Sequence, residues 1–247
     1  MNWRPARVMF ALVAWTAVAA SEVPVASERT VDLTHPSPPL RIAECNAKTG
    51  LDFESTKVRY DLNKAALVIV DMQNFFVEPP SAPGRALIDN MNLAAATFRK
   101  ANASVVWVNW GMRADYLDWP GRTAAGSHEW HPPQKGSHEA AIFSGLTTAA
   151  SDIFVDKYRE TGFYRSQLDD ILRFKGLRTL FFGGVNTDQC VAGTMYDGAR
   201  LGYDTALVTD LTATTSPHYA YEATLYNSQW TTTSADLIGG IAQAKGD

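Results

Sequence analysis

Cysteine is nearly absent from this 247-residue chain, occurring only at Cys45 and Cys190. Two thiols close at most one bridge, so a disulfide-stapled scaffold is excluded. An excess of either charge is missing too. Lys and Arg number 22 against 26 Asp and Glu, for a formal net charge of −4, and no dense basic stripe occurs. That rules out the electrostatic footprint of a nucleic-acid-binding surface. No apolar run reaches the roughly 20 residues of a membrane-spanning helix. Two enzyme signatures are also missing. There is no G-x-G-x-x-G after a strand, as a dinucleotide-binding module needs, and no G-x-S-x-G, as a serine hydrolase of the nucleophile-elbow type needs.

What is present is a globular composition, 46% hydrophobic and 19% charged, in a chain long enough for one α/β domain with a sizeable core. The N-terminus reads separately. Arg4 and Arg7 precede a short apolar core from Val8 to Thr16, and Ala17-Val18-Ala19 gives an A-x-A cleavage pattern. Residues 1–20 are therefore expected to be a signal peptide, and the mature protein to be secreted, either extracellular or periplasmic. Residues 21–62, interrupted by Pro24, Pro36, Pro38 and Pro39, read as an extended N-terminal arm wrapping the domain that follows at 63–247.

From Lys64 a regular alternation begins. Ala65 to Val70 (AALVIV) is a continuous apolar run, as in a parallel strand buried on both faces. Arg85 to Lys100 has helical spacing through Leu87, Ile88, Met91, Leu93 and Phe98, and Ser104 to Trp110 is the next strand. A long irregular stretch, Gly111 to Ala150, exceeds an ordinary connection and reads as a lid or an oligomer contact. Strands at 153–155, 179–183, 204–208 and 231–234 then alternate with helices at 167–174, 188–201, 216–230 and from Ala235. This pattern implies a three-layer αβα sandwich around a mainly parallel sheet of about six strands. Ligands in such sheets bind outside the carboxyl ends of the strands.

Three chemically capable residues fall at those ends: Asp71 after the first strand, Lys157 after the third and Cys190 after the fourth. A thiol attacks as thiolate, and its free pKa near 8.5 is lowered by a nearby ammonium or a helix N-terminus. Cys190 is expected in the first turn of the helix beginning near Asp188, with Lys157 as the cation and Asp71 as the group that takes and returns the proton. Singly, each has an ordinary alternative. Asp71 could cap a helix or bind a metal, Lys157 could be solvated, and Cys190 could be an inert buried residue. Together on consecutive βα units they form a nucleophilic constellation.

The local sequences resemble the isochorismatase-like cysteine hydrolase superfamily over roughly Asp61 to Ile241. The D-x-Q-x-x-F signature stands as Asp71-Met72-Gln73-Asn74-Phe75-Phe76. The lysine signature runs from Lys157 to Phe163, and G-V-x-T-x-x-C-V is Gly184 to Val191. The resemblance implies Asp71, Lys157 and Cys190 as the triad, the main-chain N–H groups of Asn186 and Cys190 as oxyanion hole, and a non-proline cis peptide between Val185 and Asn186. The D-x-H metal pair of nicotinamidases is missing at Val108-Asn109-Trp110-Gly111. His128 and His131 lack a third ligand of suitable spacing, so neither metal nor cofactor is expected. The Asn-Trp pair and the Tyr158 to Tyr164 stretch are more similar to ureidoacrylate and biuret amidohydrolases. Gln73, Asn109, Trp110, Tyr116 and Phe163 are the candidate substrate-binding residues, with plain core packing as the alternative for the aromatics.

The resulting expectation is hydrolysis of a C–N bond in a small amide or ureide through a thioester. Alternatives are isochorismatase-type cleavage of a vinyl ether, which needs the aspartate but no thiol, a papain-like pairing of Cys190 with His218, and a catalytically silent interaction protein. The expected partner is a small-molecule substrate, with neither nucleic acid nor membrane, and the chain is expected to form a homo-oligomer.

Overall fold

In the computed structural model, residues 27–36, 53–119 and 131–243 are described. The expected signal peptide, Cys45 and His128 lie outside them. Eight strands form one sheet: β1 (Glu28–Pro36), β2 (Phe53–Asp61), β3 (Ala65–Val70), β4 (Ser104–Trp110), β5 (Ile153–Lys157), β6 (Thr179–Val185), β7 (Asp204–Ala213) and β8 (Trp230–Thr232). Their order is β2-β1-β8-β7-β6-β3-β4-β5. The run from β8 to β5 is parallel throughout and accounts for the strands expected from the alternation. The two further strands come from the N-terminal segment, where β1 and β2 pair antiparallel and β1 meets β8 antiparallel at Thr34 and Thr231. The prolines in that segment hid this pairing from a reading by periodicity.

The helices are α1 (Asn74–Val77), α2 (Ile88–Lys100), α3 (Leu168–Phe174), α4 (Ala192–Arg200), α5 (His218–Asn227) and α6 (Ser234–Gln243). Among the described residues no helix is long and apolar enough to cross a membrane. Strand alternation divides the core in two. Leu67, Ile69, Val105, Trp107 and Phe181 face a layer with Met91 and Phe98 of α2 and Leu237 of α6. Val68, Val70, Val108, Trp110 and Phe182 face the layer of α3 and α4, with Leu168, Leu172 and Met195. Every residue of β3 is buried, as the AALVIV run requires of a strand with neighbours on both edges and helices on both faces. In α2 the buried stripe is Met91, Ala94, Ala95 and Phe98; Leu93, counted in the apolar spacing, is 57% exposed on the opposite side.

The edge strand β5 is fixed by a buried carboxylate. Asp152 accepts from Arg99 Nε at 2.8 Å and Nη2 at 2.7 Å, and from Trp107 Nε1 at 2.8 Å. This bidentate pair ties the start of β5 to α2 and β4, and so sets where the strand ends.

Candidate functional site

Three strand ends converge at the carboxyl edge of the sheet. Asp71 leaves β3 with a left-handed backbone (φ 55°), while its N–H still donates to Val108 O at 3.0 Å. Lys157 is the last residue of β5, in register beside Trp110 of β4. β6 runs into a cis peptide between Val185 and Asn186, and then into the single π-helical turn Thr187–Val191 that carries Cys190. Gly184 makes this approach possible. Its φ is 115°, and a Cβ there would lie 1.9 Å from Val70 O.

The three side chains meet. Lys157 Nζ lies 3.0 Å from Asp71 Oδ2, with both groups wholly buried. The free Cys190 thiol, 6% exposed, lies close enough to feel the charges of both Asp71 and Lys157. Lys157 Nζ also donates to the carbonyls of Arg159 at 3.0 Å and Glu160 at 3.3 Å, and sits 3.6 Å from the centroid of the Trp110 ring.

Burial pushes the Asp71 carboxyl up to about 6, against the opposing pull of the Lys157 ammonium and the neighbouring Cys190 thiol. Burial, reinforced by the Asp71 charge, drives the Cys190 thiol far above its ordinary range, and Lys157 only partly offsets this. Cys190 does lie in the first helical turn, because the π turn Thr187–Val191 runs directly into the α-helix that begins at Ala192. Burial there favours the thiol over the expected thiolate, and the Lys157 cation offsets this only in part.

Buried threonines that the sequence did not single out brace the cysteine turn. Thr187 Oγ1 lies 2.9 Å from Thr212 Oγ1, which donates to Gly184 O at 2.9 Å. Thr194 Oγ1 donates to Cys190 O at 2.7 Å and accepts from Gly162 N at 2.9 Å, joining the cysteine turn to the segment after Lys157. Thr187 lay within a quoted motif and Thr194 follows Cys190 by one helical turn. Those positions were the available signal.

The substrate-binding candidates separate into groups. Gln73 is fully buried with its amide engaged by backbone. Nε2 donates to Trp110 O at 2.8 Å and Ala140 O at 2.7 Å, and Oε1 accepts from Trp110 N at 3.0 Å. Its assignment to substrate is corrected, because both amide protons are used in holding β4 and the 138–143 segment together. Phe163 is also corrected, since its ring stacks on Tyr203 at 5.9 Å and packs against Gly198, toward the far end of α4 from Cys190. Trp110 is buried beneath Lys157, with Trp119 edge-on at 5.4 Å. Tyr116 is half-buried, its hydroxyl donating to Pro132 O at 3.1 Å. The Oδ1 of Asn109 is a buried acceptor with no hydrogen-bond partner.

The histidines stand elsewhere. The ring of His131 lies 4.9 Å from that of Tyr116, and the largely exposed His218 sits 3.4 Å from Glu222 on α5. His218 has Glu222 as its partner on its own helix, whereas the charged groups acting on the buried Cys190 thiol are Asp71 and Lys157. Among the described residues no three His, Cys, Asp or Glu side chains form a metal-binding group.

The isochorismatase domain matches residues 65–236. The chain belongs to the isochorismatase family. It is 31% identical over 212 residues to ureidoacrylate amidohydrolase RutB of Azorhizobium caulinodans, covering 74% of this chain and 92% of that protein. Among solved structures, N-carbamoylsarcosine amidase from Thermoplasma acidophilum aligns with TM-score 0.58 and 28% identity, over 69% of this chain and 96% of that one. A cysteine hydrolase from Pseudomonas syringae pv. phaseolicola aligns with TM-score 0.66 and 22% identity, over 75% and 95%, a likeness of fold. In this family member, then, an acid, an ammonium and a thiol share one buried junction at the strand ends.

Proposed function

We propose that this isochorismatase-family hydrolase cleaves the C–N bond of a small amide or ureide through a thioester on Cys190. The observation that carries the reading is the buried contact of Asp71 with both Lys157 and the Cys190 thiol. The relatives that are an amidohydrolase and an amidase support the bond class.

In this reading the ionised Asp71 takes the Sγ proton as sulfur attacks the substrate carbonyl carbon. The developing oxyanion is received by the main-chain N–H groups of Asn186 and Cys190. Collapse of the tetrahedral adduct breaks the C–N bond, and Asp71 passes its proton to the leaving nitrogen. Water then attacks the thioester carbonyl, Asp71 takes the water proton, and the acid leaves as the proton returns to sulfur. Lys157 holds Asp71 in place throughout and stabilises the sulfur when it is anionic. The open acceptor on Asn109 suits an N–H of the substrate, with Tyr116 as a wall.

A panel of primary amides, N-carbamoyl acids, other ureides and isochorismate tests this directly. Turnover of an amide or ureide, with covalent label on Cys190 when the reaction is quenched, is the expected result. Turnover of isochorismate alone, with no label, would overturn it.

A further inference from the structure

Trp110 entered as a wall for substrate, but its surroundings place it elsewhere in the machinery. Trp110 and Lys157 are register partners on the adjacent parallel strands β4 and β5, so their side chains leave the same face of the sheet side by side. Both are almost completely buried. The ammonium stands 3.6 Å from the ring centroid, well inside the range over which an aromatic face attracts a cation. The main chain of the same residue lies near the other charge, the Asp71 carboxyl. Gln73 then clamps that main chain from both sides, accepting from Trp110 N and donating to Trp110 O. Trp119 closes the ring edge-on at 5.4 Å. A ring held on so many sides has little freedom to adapt to a ligand.

We infer that Trp110 is a positioning residue that seats Lys157 as a cation against Asp71 and Cys190, and that Gln73 fixes this seat. The inference rests on the triad reading above. A buried ammonium has lost its water, and the three acceptors around Nζ, which are Asp71 Oδ2 and the Arg159 and Glu160 carbonyls, replace hydrogen bonds but supply only one full negative charge. The indole face adds negative electrostatic potential without adding a group that could take the proton. Among the described residues, Asp71 and Cys190 are the titratable groups beside the ammonium, and the Arg159 guanidinium stands one ring away, 5.2 Å from the centroid of Trp119. Asp156, its neighbour in the strand, is turned to the opposite face and paired with Lys135. Trp110 therefore acts on catalysis through Lys157 and does not touch the substrate.

The test separates this from a substrate wall and from simple packing. Fluorinated tryptophans placed at position 110 alone keep the shape of the ring while weakening its negative face in steps. Without any substrate, the alkylation of Cys190 by iodoacetamide should slow with each added fluorine and its pH profile should move upward. With the best substrate, kcat should fall in parallel while KM stays within about twofold. Trp110→Leu should lose about tenfold or more in both alkylation rate and kcat, and Trp110→Phe should recover part of it. Gln73→Leu should reproduce a milder version. A fluorine series with unchanged alkylation, or one that moves KM alone, would overturn the inference. Because alkylation needs no substrate, the trend can hold even if every amide in the panel is refused. In that event the proposed reaction fails and the seat for Lys157 stands.

Discussion

Replacing Lys157 by Met keeps nearly the same volume in a fully buried position and removes the charge 3.0 Å from Asp71 Oδ2. Breaking a buried pair by deleting one partner costs about 3–5 kcal/mol when the survivor stays charged. Asp71 has an escape. Its carboxyl is already held up at about 6 by burial, and Lys157 is the largest influence pulling it down. Without the lysine it rises further and is protonated at neutral pH. A folded-state carboxyl pKa above the unfolded value means that the native state holds the extra proton, so stability falls as pH rises across that interval. In the wild type this decline lies between about 4 and about 6. In Lys157→Met it extends to higher pH, so the variant should be nearly as stable as wild type at pH 5 and markedly less stable at pH 8. Activity should follow the same proton. The wild-type kcat/KM should fall below about pH 6, as Asp71 loses its ability to accept the Cys190 proton. In the variant that acid limb should shift upward, with a loss of about 10²–10⁴-fold at pH 7. Urea titrations at the two pH values and a pH–rate profile measure both effects. An acid limb that stays near pH 6, with an equal stability deficit at both pH values, would refute the coupling of Asp71 to Lys157.

Cys190→Ala should abolish turnover of an amide or ureide at unchanged melting temperature to within a few degrees; near-normal activity would remove the thioester. Gly184→Ala should destabilise the fold by about 3 kcal/mol or more in a denaturant titration, because its Cβ would collide with Val70 O at a positive φ. We also propose that residues 1–20 are removed on export, so Edman sequencing of exported protein should begin near Ala20 or Ser21. A start at Met1 in exported material would refute that.

The parts of this fold legible in the sequence were those that repeat. The apolar AALVIV run, the Ser104 to Trp110 strand and the alternation after Ile153 all reflect burial on two faces, which leaves a local pattern. Asp71, Lys157 and Cys190 were legible because each ends or follows such a strand, where a polar residue after an apolar run stands out. Long-range pairing left no such trace. The union of β1 with β8 joins Thr34 to Thr231, far apart in the chain, and proline-interrupted sequence carries no period to announce it. The protonation of the site was misread for a related reason. The sequence shows which charges are present near Cys190, but burial decides which of them prevails, and burial belongs to the assembled core. Gln73 illustrates the same limit, since an amide in a motif reads as a ligand contact until its partners, Trp110 and Ala140, are seen.

The end of β4 at Trp110 has a topological consequence. The chain leaves the sheet there and re-enters it only at Ile153, the first residue of β5, whose register partner is Val106. Near the start of this excursion the chain closes on itself, where Met112 N donates to Pro133 O at 3.1 Å and Lys135 N to Met112 O at 2.8 Å. The chain between Met112 and Pro133 is therefore fastened at its neck, and its described part is anchored once more by Trp119, which packs edge-on against Trp110 of the sheet. Exposed positions of this stretch, such as Leu117, carry no such duty and can change while the proton-handling junction beneath keeps its spacing. A loop grafted here as a route to new substrates has to keep an aromatic at position 119 if the Trp110 packing is to survive.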